Sequence, residues 1–216
     1  MPSFAVIFDM DGVIVDSNPP HVIAIRLFCE KYGFSLTEEE MRSRVFGRTN
    51  RDWLGYLFGA MTEAQFQGYA WEKELLYRQI YASDIRPVAG VVEFVELLHQ
   101  QQIPKAIGTS APPENVTFTL EGTGLAAYFS IILDERFVQN GKPHPEIYLK
   151  TCAALGFEPE NCIVFEDSLS GVQSALSAGC KVIGVATTHT AAELANTALV
   201  INDFVGLSLK DLEKLF

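Results

Sequence analysis

The stretch Phe4-Ala5-Val6-Ile7-Phe8-Asp9-Met10-Asp11-Gly12-Val13 decides how the rest of the chain is read. Five apolar residues followed by acid and glycine predict a buried parallel strand that runs out into a loop. In an extended backbone the side chains at i and i+2 share a face, so Asp9 and Asp11 can converge beyond the strand end. Ionised carboxylates are costly to leave unpaired in a partly buried site. A hard divalent cation relieves that cost, and Mg²⁺ favours one or two carboxylates together with substrate phosphate oxygens. A loop whose acids cap the next helix explains the same two residues equally well. The pair alone does not choose.

Three later segments have the same form. Lys105-Ala106-Ile107-Gly108-Thr109-Ser110 is a short apolar run ending in two hydroxyls. Pro112-Pro113-Glu114 then marks a helix start, whose free N–H groups favour an anion. Thr109 and Ser110 can meet a phosphoryl oxygen there, or simply cap the helix. In Gly141-Lys142-Pro143 the proline holds Lys142 in an extended conformation, where its ammonium suits a phosphate or crowded carboxylates. Cys162-Ile163-Val164-Phe165-Glu166-Asp167-Ser168 is another apolar strand ending in acids, able to complete a cation shell begun by Asp9 and Asp11. Ser168 and Ser170 offer caps to the helix that follows, and Gly179 offers its stop. All four segments end at the carboxyl edge of a predicted strand, where open α/β sheets bind ligands.

In that order, Asp9/Asp11, Thr109, Lys142 and Glu166/Asp167 resemble the four motifs of the haloacid dehalogenase superfamily of aspartate-nucleophile phosphotransferases. The resemblance spans essentially the whole chain. It is nearest the subgroup that holds β-phosphoglucomutase and small sugar-phosphate phosphatases, which carries a helical cap between the first two motifs. The resemblance implies an α/β fold, a Rossmann-like core with an inserted all-α cap. It implies Mg²⁺ held by Asp9, Asp11 (through its backbone), Glu166 and Asp167. Asp9 would be the nucleophile, Asp11 the general acid–base that moves with the cap, and Thr109 and Lys142 the holders of the transferred oxygens. Dehalogenases and phosphonate-cleaving relatives lack an acid at the position of Asp11, so its presence favours phosphate esters.

Cap residues bear on hydrolase against mutase. Ser17 and His21 match hinge and cap-entry positions of the mutase, and Lys73 is at a position basic in mutases and in many phosphatases. Mutases carry a lysine just before the glycine at position 47 and an arginine three residues after it, to grip a distal phosphate. Here Phe46 and Asn50 stand there, with Arg48 and Arg51 as neighbouring substitutes. A phosphatase of a small phosphorylated metabolite is therefore expected, with β-phosphoglucomutase as the alternative and a catalytically silent binding module as a remote one.

Bulk properties narrow the partners. A net charge of −11 excludes nucleic acid and anionic membranes, which require basic surface. It also repels a phosphate substrate, but over only about 8–10 Å in physiological salt, so a cation and Lys142 can override it locally. The four cysteines, Cys29, Cys152, Cys162 and Cys180, are scattered without C-x-x-C spacing, which fits a reducing, cytoplasmic setting. Neither a signal peptide nor a membrane span is predicted. A monomer is expected.

Strands are predicted at Phe4–Phe8, Lys105–Gly108, Ile131–Leu133, Cys162–Phe165, Val182–Ala186 and Leu199–Ile201. From residue 87 they alternate with helices at Val91–Gln101, Glu114–Glu121, Pro145–Leu155, Ser170–Ala178 and Leu207–Leu215, the pattern of a parallel sheet covered on both faces. Between them, residues 18–84 hold no strand. Thr37-x-x-Glu40 and Thr62-x-x-Gln65 have the capping-box form, and Trp53, Tyr56, Phe58, Phe66, Tyr69 and Trp71 supply a helical core. The division expected is a core of 1–17 and 85–216, with a cap of 18–84 tethered by Ser17–Pro20 and Asp84–Pro87.

Overall fold

The computed structural model describes residues 3–45 and 48–216. Six parallel strands form one sheet in the order β3-β2-β1-β4-β5-β6. They are β1 Ala5–Phe8, β2 Lys105–Gly108, β3 Ile132–Leu133, β4 Cys162–Glu166, β5 Lys181–Val185 and β6 Leu199–Ile201. Each expected strand is present, with its ends within one residue. β1 lies between β2 and β4, with Ile7 level with Ala106 on one side and Val164 on the other. Strand order reverses about β1, so its carboxyl end opens into the crevice where such sheets hold ligands.

Between β1 and Pro87 the chain forms α1 Asn18–Lys31, α2 Glu38–Glu40 continuing as a π turn Met41–Val45, α3 Asn50–Phe58 and α4 Glu63–Tyr81. Later helices are α5 Val91–Gln100, α6 Pro113–Thr123, α7 Glu146–Leu155, α8 Leu169–Ala178 and α9 Leu209–Glu213. Both expected capping boxes form, and Thr49 with Asp52 makes another at the start of α3. Gly156 and Gly179 end α7 and α8 with positive φ, which glycine adopts without strain.

Two-residue alternation splits the strand side chains between two cores. Val6, Phe8, Ile107, Ile163, Phe165 and Ile183 face one, with Phe94 of α5 and Leu120 of α6. Ala5, Ile7, Cys162, Val164 and Val182 face the other, with Tyr148 of α7 and Val172 of α8. Helices on both faces are the reason these strands read as unbroken apolar runs. Cys152, Cys162 and Cys180, far apart in the chain, pack together in the second core, with Cys152 Sγ 3.6 Å from Cys180 Sγ; all four cysteines are unbridged.

Helices α1–α4 build a third cluster around Phe28, Trp53, Leu54 and Phe66, with Phe58 and Tyr69 packed against it. Tyr56 and Trp71, expected in that cluster, are exposed. The tethers also differ from expectation. Ser17–Pro20 is the N-terminus of α1 rather than a linker, its prolines sitting where the backbone N–H has no helical partner. The two connections run side by side: Asp16 N donates to Arg86 O at 3.0 Å, and Val88 N donates to Ile14 O at 3.0 Å. Tyr81 Oη donates to Asp16 O at 3.1 Å and accepts from Arg86 N at 3.0 Å. No helix among the described residues is long and apolar enough to cross a membrane.

Phe204 sits 5.0 Å from Phe165 and 5.5 Å from Phe94, ring centre to ring centre, and is almost fully buried. Phe204→Ala should cost about 3–5 kcal/mol in urea unfolding. Trp71→Ala, at a side chain 61% exposed, should change stability by no more than about 0.5 kcal/mol.

Candidate active site

Four loops converge beyond the carboxyl ends of β1, β2 and β4. Asp9 follows β1 directly and is 7% exposed. Lys142, from the loop before α7, reaches Asp9 Oδ1 at 2.9 Å and Glu166 Oε1 at 2.6 Å, all three groups buried. Burial opposes the Lys142 charge, yet Asp9 and Glu166 hold its ammonium above the ordinary lysine pKa. Burial pushes the Asp9 carboxyl up to about 7, against the pull of Lys142. Burial also raises Asp167 well above the carboxylate range, helped by the charges of Glu166 and Asp9.

Both oxygens of Glu166 are engaged. Oε1 accepts from Lys142 Nζ and from Tyr148 Oη at 2.6 Å. Oε2 accepts from the backbone N–H groups of Asp167 and Ser168 at 3.0 and 3.1 Å, and from Ser168 Oγ at 3.1 Å. Ser168 Oγ also caps α8 by accepting from Gly171 N at 3.0 Å. A Cβ on Gly171 would stand 1.7 Å from Glu166 Oε1, and a Cβ on Gly12 would stand 1.9 Å from Asp167 Oδ2. Both glycines therefore make room for acids.

Asp9, Glu166 and Asp167 bring carboxylate oxygens within 4.8 Å of one another. Three carboxylates outnumber the single ammonium, and hard oxygen donors of this kind fit Mg²⁺. Because five donors already fill Glu166, Asp9 and Asp167 are the acids best able to hold a cation. Asp11 does not join this cluster through its carboxylate. Its Oδ1 accepts from Ser17 Oγ at 2.6 Å and lies 3.4 Å from His21 Nε2. Burial works upward on Asp11, but the contacts with His21 and Ser17 leave its carboxyl below the usual range.

Neither Thr109 nor Ser110 caps α6; that position belongs to Pro112. Thr109 is buried, its Oγ1 accepting from Ala111 N at 3.1 Å, so its own hydroxyl proton remains to be donated. Asp9, Asp11, Thr109, Ser110, Lys142 and Asp167 line one cavity of about 120 Å³ with His21, Arg48 and Lys73 from the helical insertion. Ser17 lies behind it, on Asp11. Arg51 is not brought there: it pairs with Glu63 at 2.9 Å and lies over the Phe66 ring, facing a wider outer cleft. Its helix turns it away, one residue past Asn50, which does line the pocket. Phe46 and Gly47 lie outside the described residues.

Several lining groups were not anticipated. Glu74 and Asn50 line the pocket from the insertion, Asn115 from α6, and Thr188 from the loop after β5. Thr188 Oγ1 donates to Asp167 Oδ2 and accepts from Asn18 Nδ2. Tyr148 could have been found as a phenol on the buried face of a predicted helix, since such a group requires a partner. Thr188 left no local signal.

A family model for haloacid dehalogenase-like hydrolases matches residues 6–185. The chain belongs to that family. Among curated relatives, a phosphorylated carbohydrates phosphatase of Thermotoga maritima is 35% identical over 180 residues, 83% of each chain. Hexitol phosphatase A of Escherichia coli is 30% identical over 196 residues, covering 91% of this chain and 89% of that one. Among solved structures, a family IA hydrolase of Entamoeba histolytica superposes with a TM-score of 0.89 at 34% identity over 98% of both chains. A β-phosphoglucomutase of Clostridium difficile does so at 0.85 and 25%, over 98% of this chain and 96% of that one. This haloacid dehalogenase-like hydrolase is thus an enzyme of phosphate-ester chemistry.

Two outcomes follow for the hydrolase. Gly171→Ala should displace Glu166 and lower turnover at least about 100-fold, as loss of a single positioning contact can, with little change in circular dichroism. Asp9, ordinary when unfolded and raised to about 7 when folded, stabilises the cation-free protein most below pH 4 and loses that contribution as pH rises through 7. Added Mg²⁺, which favours the ionised form, should therefore raise Tm more at pH 7.5 than at pH 5.5, and release protons when it binds at pH 6. A Tm increment that is larger at the lower pH contradicts this.

Proposed function

We propose that this enzyme is a Mg²⁺-dependent phosphatase of a small phosphorylated metabolite such as a sugar phosphate, acting through a phosphoryl group carried on Asp9. The observation that carries this is one cavity faced by the Asp9 carboxylate, the Lys142 ammonium 2.9 Å from it, and Asp11 held on the strand-to-helix hinge by Ser17 and His21. Relatives named as sugar-phosphate phosphatases support the substrate class. Unbridged cysteines support a reducing, cytoplasmic setting.

In this mechanism Asp9 attacks phosphorus and the ester oxygen leaves, taking a proton from Asp11. Asp11 then removes a proton from water, which attacks the same phosphorus and frees Asp9 and phosphate. Lys142 and Thr109 hold the equatorial oxygens as charge develops on them. Asp9 and Asp167 would hold Mg²⁺, which would supply further neutralisation of the developing charge. A general acid must carry a proton, whereas Ser17 and His21 favour the Asp11 anion. Asp11 therefore has to change partners during the cycle. Its place at the hinge makes movement of helices α1–α4, acting as the cap of residues 18–84, the means.

The mutase remains the second reading, favoured by the fold shared with a β-phosphoglucomutase and by Lys73 in the pocket. Against it, Arg51 is tied to Glu63 and Asn50 to Glu74, so neither is free to grip a distal phosphate.

Phosphate release should be measured over sugar phosphates, nucleotides and pyrophosphate, with and without Mg²⁺. Release from sugar phosphates only with the cation is expected, and Asp9→Asn should reduce it at least about 10³-fold while the variant stays folded. Conversion of β-glucose 1-phosphate to the 6-phosphate with little phosphate released would instead establish the mutase.

A further inference from the structure

Glu74, Lys73, Asn50 and Asn115 form a pocket wall to which the mechanism proposed above assigns no step. Glu74 is 5% exposed. Donors from three elements fix it. Lys73 Nζ at 2.5 Å and Asn50 Nδ2 at 2.8 Å reach Oε1, and Asn115 Nδ2 at 2.7 Å reaches Oε2. Both amides are locked in turn: Asn50 Oδ1 accepts from Trp53 Nε1 at 3.0 Å, and Asn115 Oδ1 accepts from an Arg78 N–H at 2.7 Å. Burial alone would raise the Glu74 pKa, but Lys73 and His21 outweigh it and the carboxyl stays ionised.

This arrangement cancels the charge of Lys73, the cap lysine of the pocket. Hydrogen-bonding capacity of both kinds remains at this wall: the second N–H of each amide and the ammonium as donors, and Glu74 Oε2, which accepts from Asn115 where Oε1 takes Lys73 and Asn50, as an acceptor. Hydroxyl groups donate and accept, and so match the wall. A second phosphate only accepts, and it would meet a buried carboxylate where solvent screens their repulsion poorly. Arg48 is exposed and also borders the outer cleft, so it draws an anion to the pocket margin rather than to this wall.

We propose that Glu74 is a specificity-determining residue, restricting the site to monophosphate esters with an uncharged, hydroxyl-bearing leaving group and excluding sugar bisphosphates. It rests on the phosphatase reading above.

The experiment measures kcat/KM for phosphate release from para-nitrophenyl phosphate, a hexose 6-phosphate and the corresponding hexose 1,6-bisphosphate, using the full chain, Glu74→Gln and Glu74→Asp. The native enzyme should favour the monophosphate by at least about tenfold, the factor that roughly 1.4 kcal/mol produces. Glu74→Gln should shift the bisphosphate-to-monophosphate ratio upward by a similar factor, whereas Glu74→Asp, which keeps the charge, should retain the native preference. General structural damage lowers both rates and leaves the ratio unmoved. Comparable native rates on the two sugars overturn the proposal, as does an unshifted ratio in an active Glu74→Gln or an equal relaxation in Glu74→Asp. Should Glu74→Gln fail to fold, the native preference and Glu74→Asp decide. Failure of the native enzyme on every ester, para-nitrophenyl phosphate included, overturns instead the phosphatase reading.

Discussion

Lys142 carries its charge 2.9 Å from Asp9 and 2.6 Å from Glu166, in a place almost closed to water. Each of these groups would be costly to bury alone, and removing one partner of such a set typically costs about 3–5 kcal/mol because the other charge is stranded. The surroundings are arranged to keep the set together. Tyr148 and the start of α8 saturate Glu166, so that acid works as an anchor for the lysine. Gly171 leaves room for the anchor, and the two cores fix β1 and β4 side by side, which sets Asp9 against Glu166. With Glu166 occupied in this way, Asp9 and Asp167 are left as the carboxyls that burial drives toward the protonated form and that the proposed divalent cation would ionise and hold.

The insertion reaches the same centre from the other side. Asp11 lies between strand and hinge, bonded to Ser17 and close to His21, whose ring stacks on Tyr77 of α4 at 3.7 Å. In the mechanism proposed above, movement at this hinge would change the surroundings of Asp11 and so link a rigid-body motion to its protonation state. Beyond Asp11, the Glu74 carboxylate joins α3, α4 and α6 through hydrogen bonds, so one buried group both closes the pocket wall and sets its chemical character.

The fold was legible because its strands are buried on both faces and end in acids or hydroxyls, a pattern that survives in one dimension. Asp9, Thr109, Lys142, Glu166 and Asp167 were legible for the same reason: each ends a strand or sits beside a proline that fixes the backbone. Contacts that depend on how two helices pack were not. Trp71 and Tyr56 share their composition with Trp53 and Phe66, yet face solvent, because helix rotation about its neighbours decides which aromatic turns inward. Arg51 and Asn50 are adjacent in sequence and point to different cavities. Thr188, bonded to Asp167 from a loop after β5, has no local pattern at all, and the three clustered cysteines are brought together from a helix, a strand and the turn before β5, whose spacing gives no hint of it.

Trapping the phosphoryl group on the chain tests the mechanism most directly. The enzyme should be mixed with a substrate hexose phosphate and Mg²⁺, quenched in acid within the first turnover, digested, and its peptides weighed. A phosphoryl mass on the peptide bearing Asp9, at that residue and lost on treatment with hydroxylamine, is the predicted result. Steady release of phosphate with Asp9 unmodified at every quench time, or with the label on another residue such as His21, would contradict it.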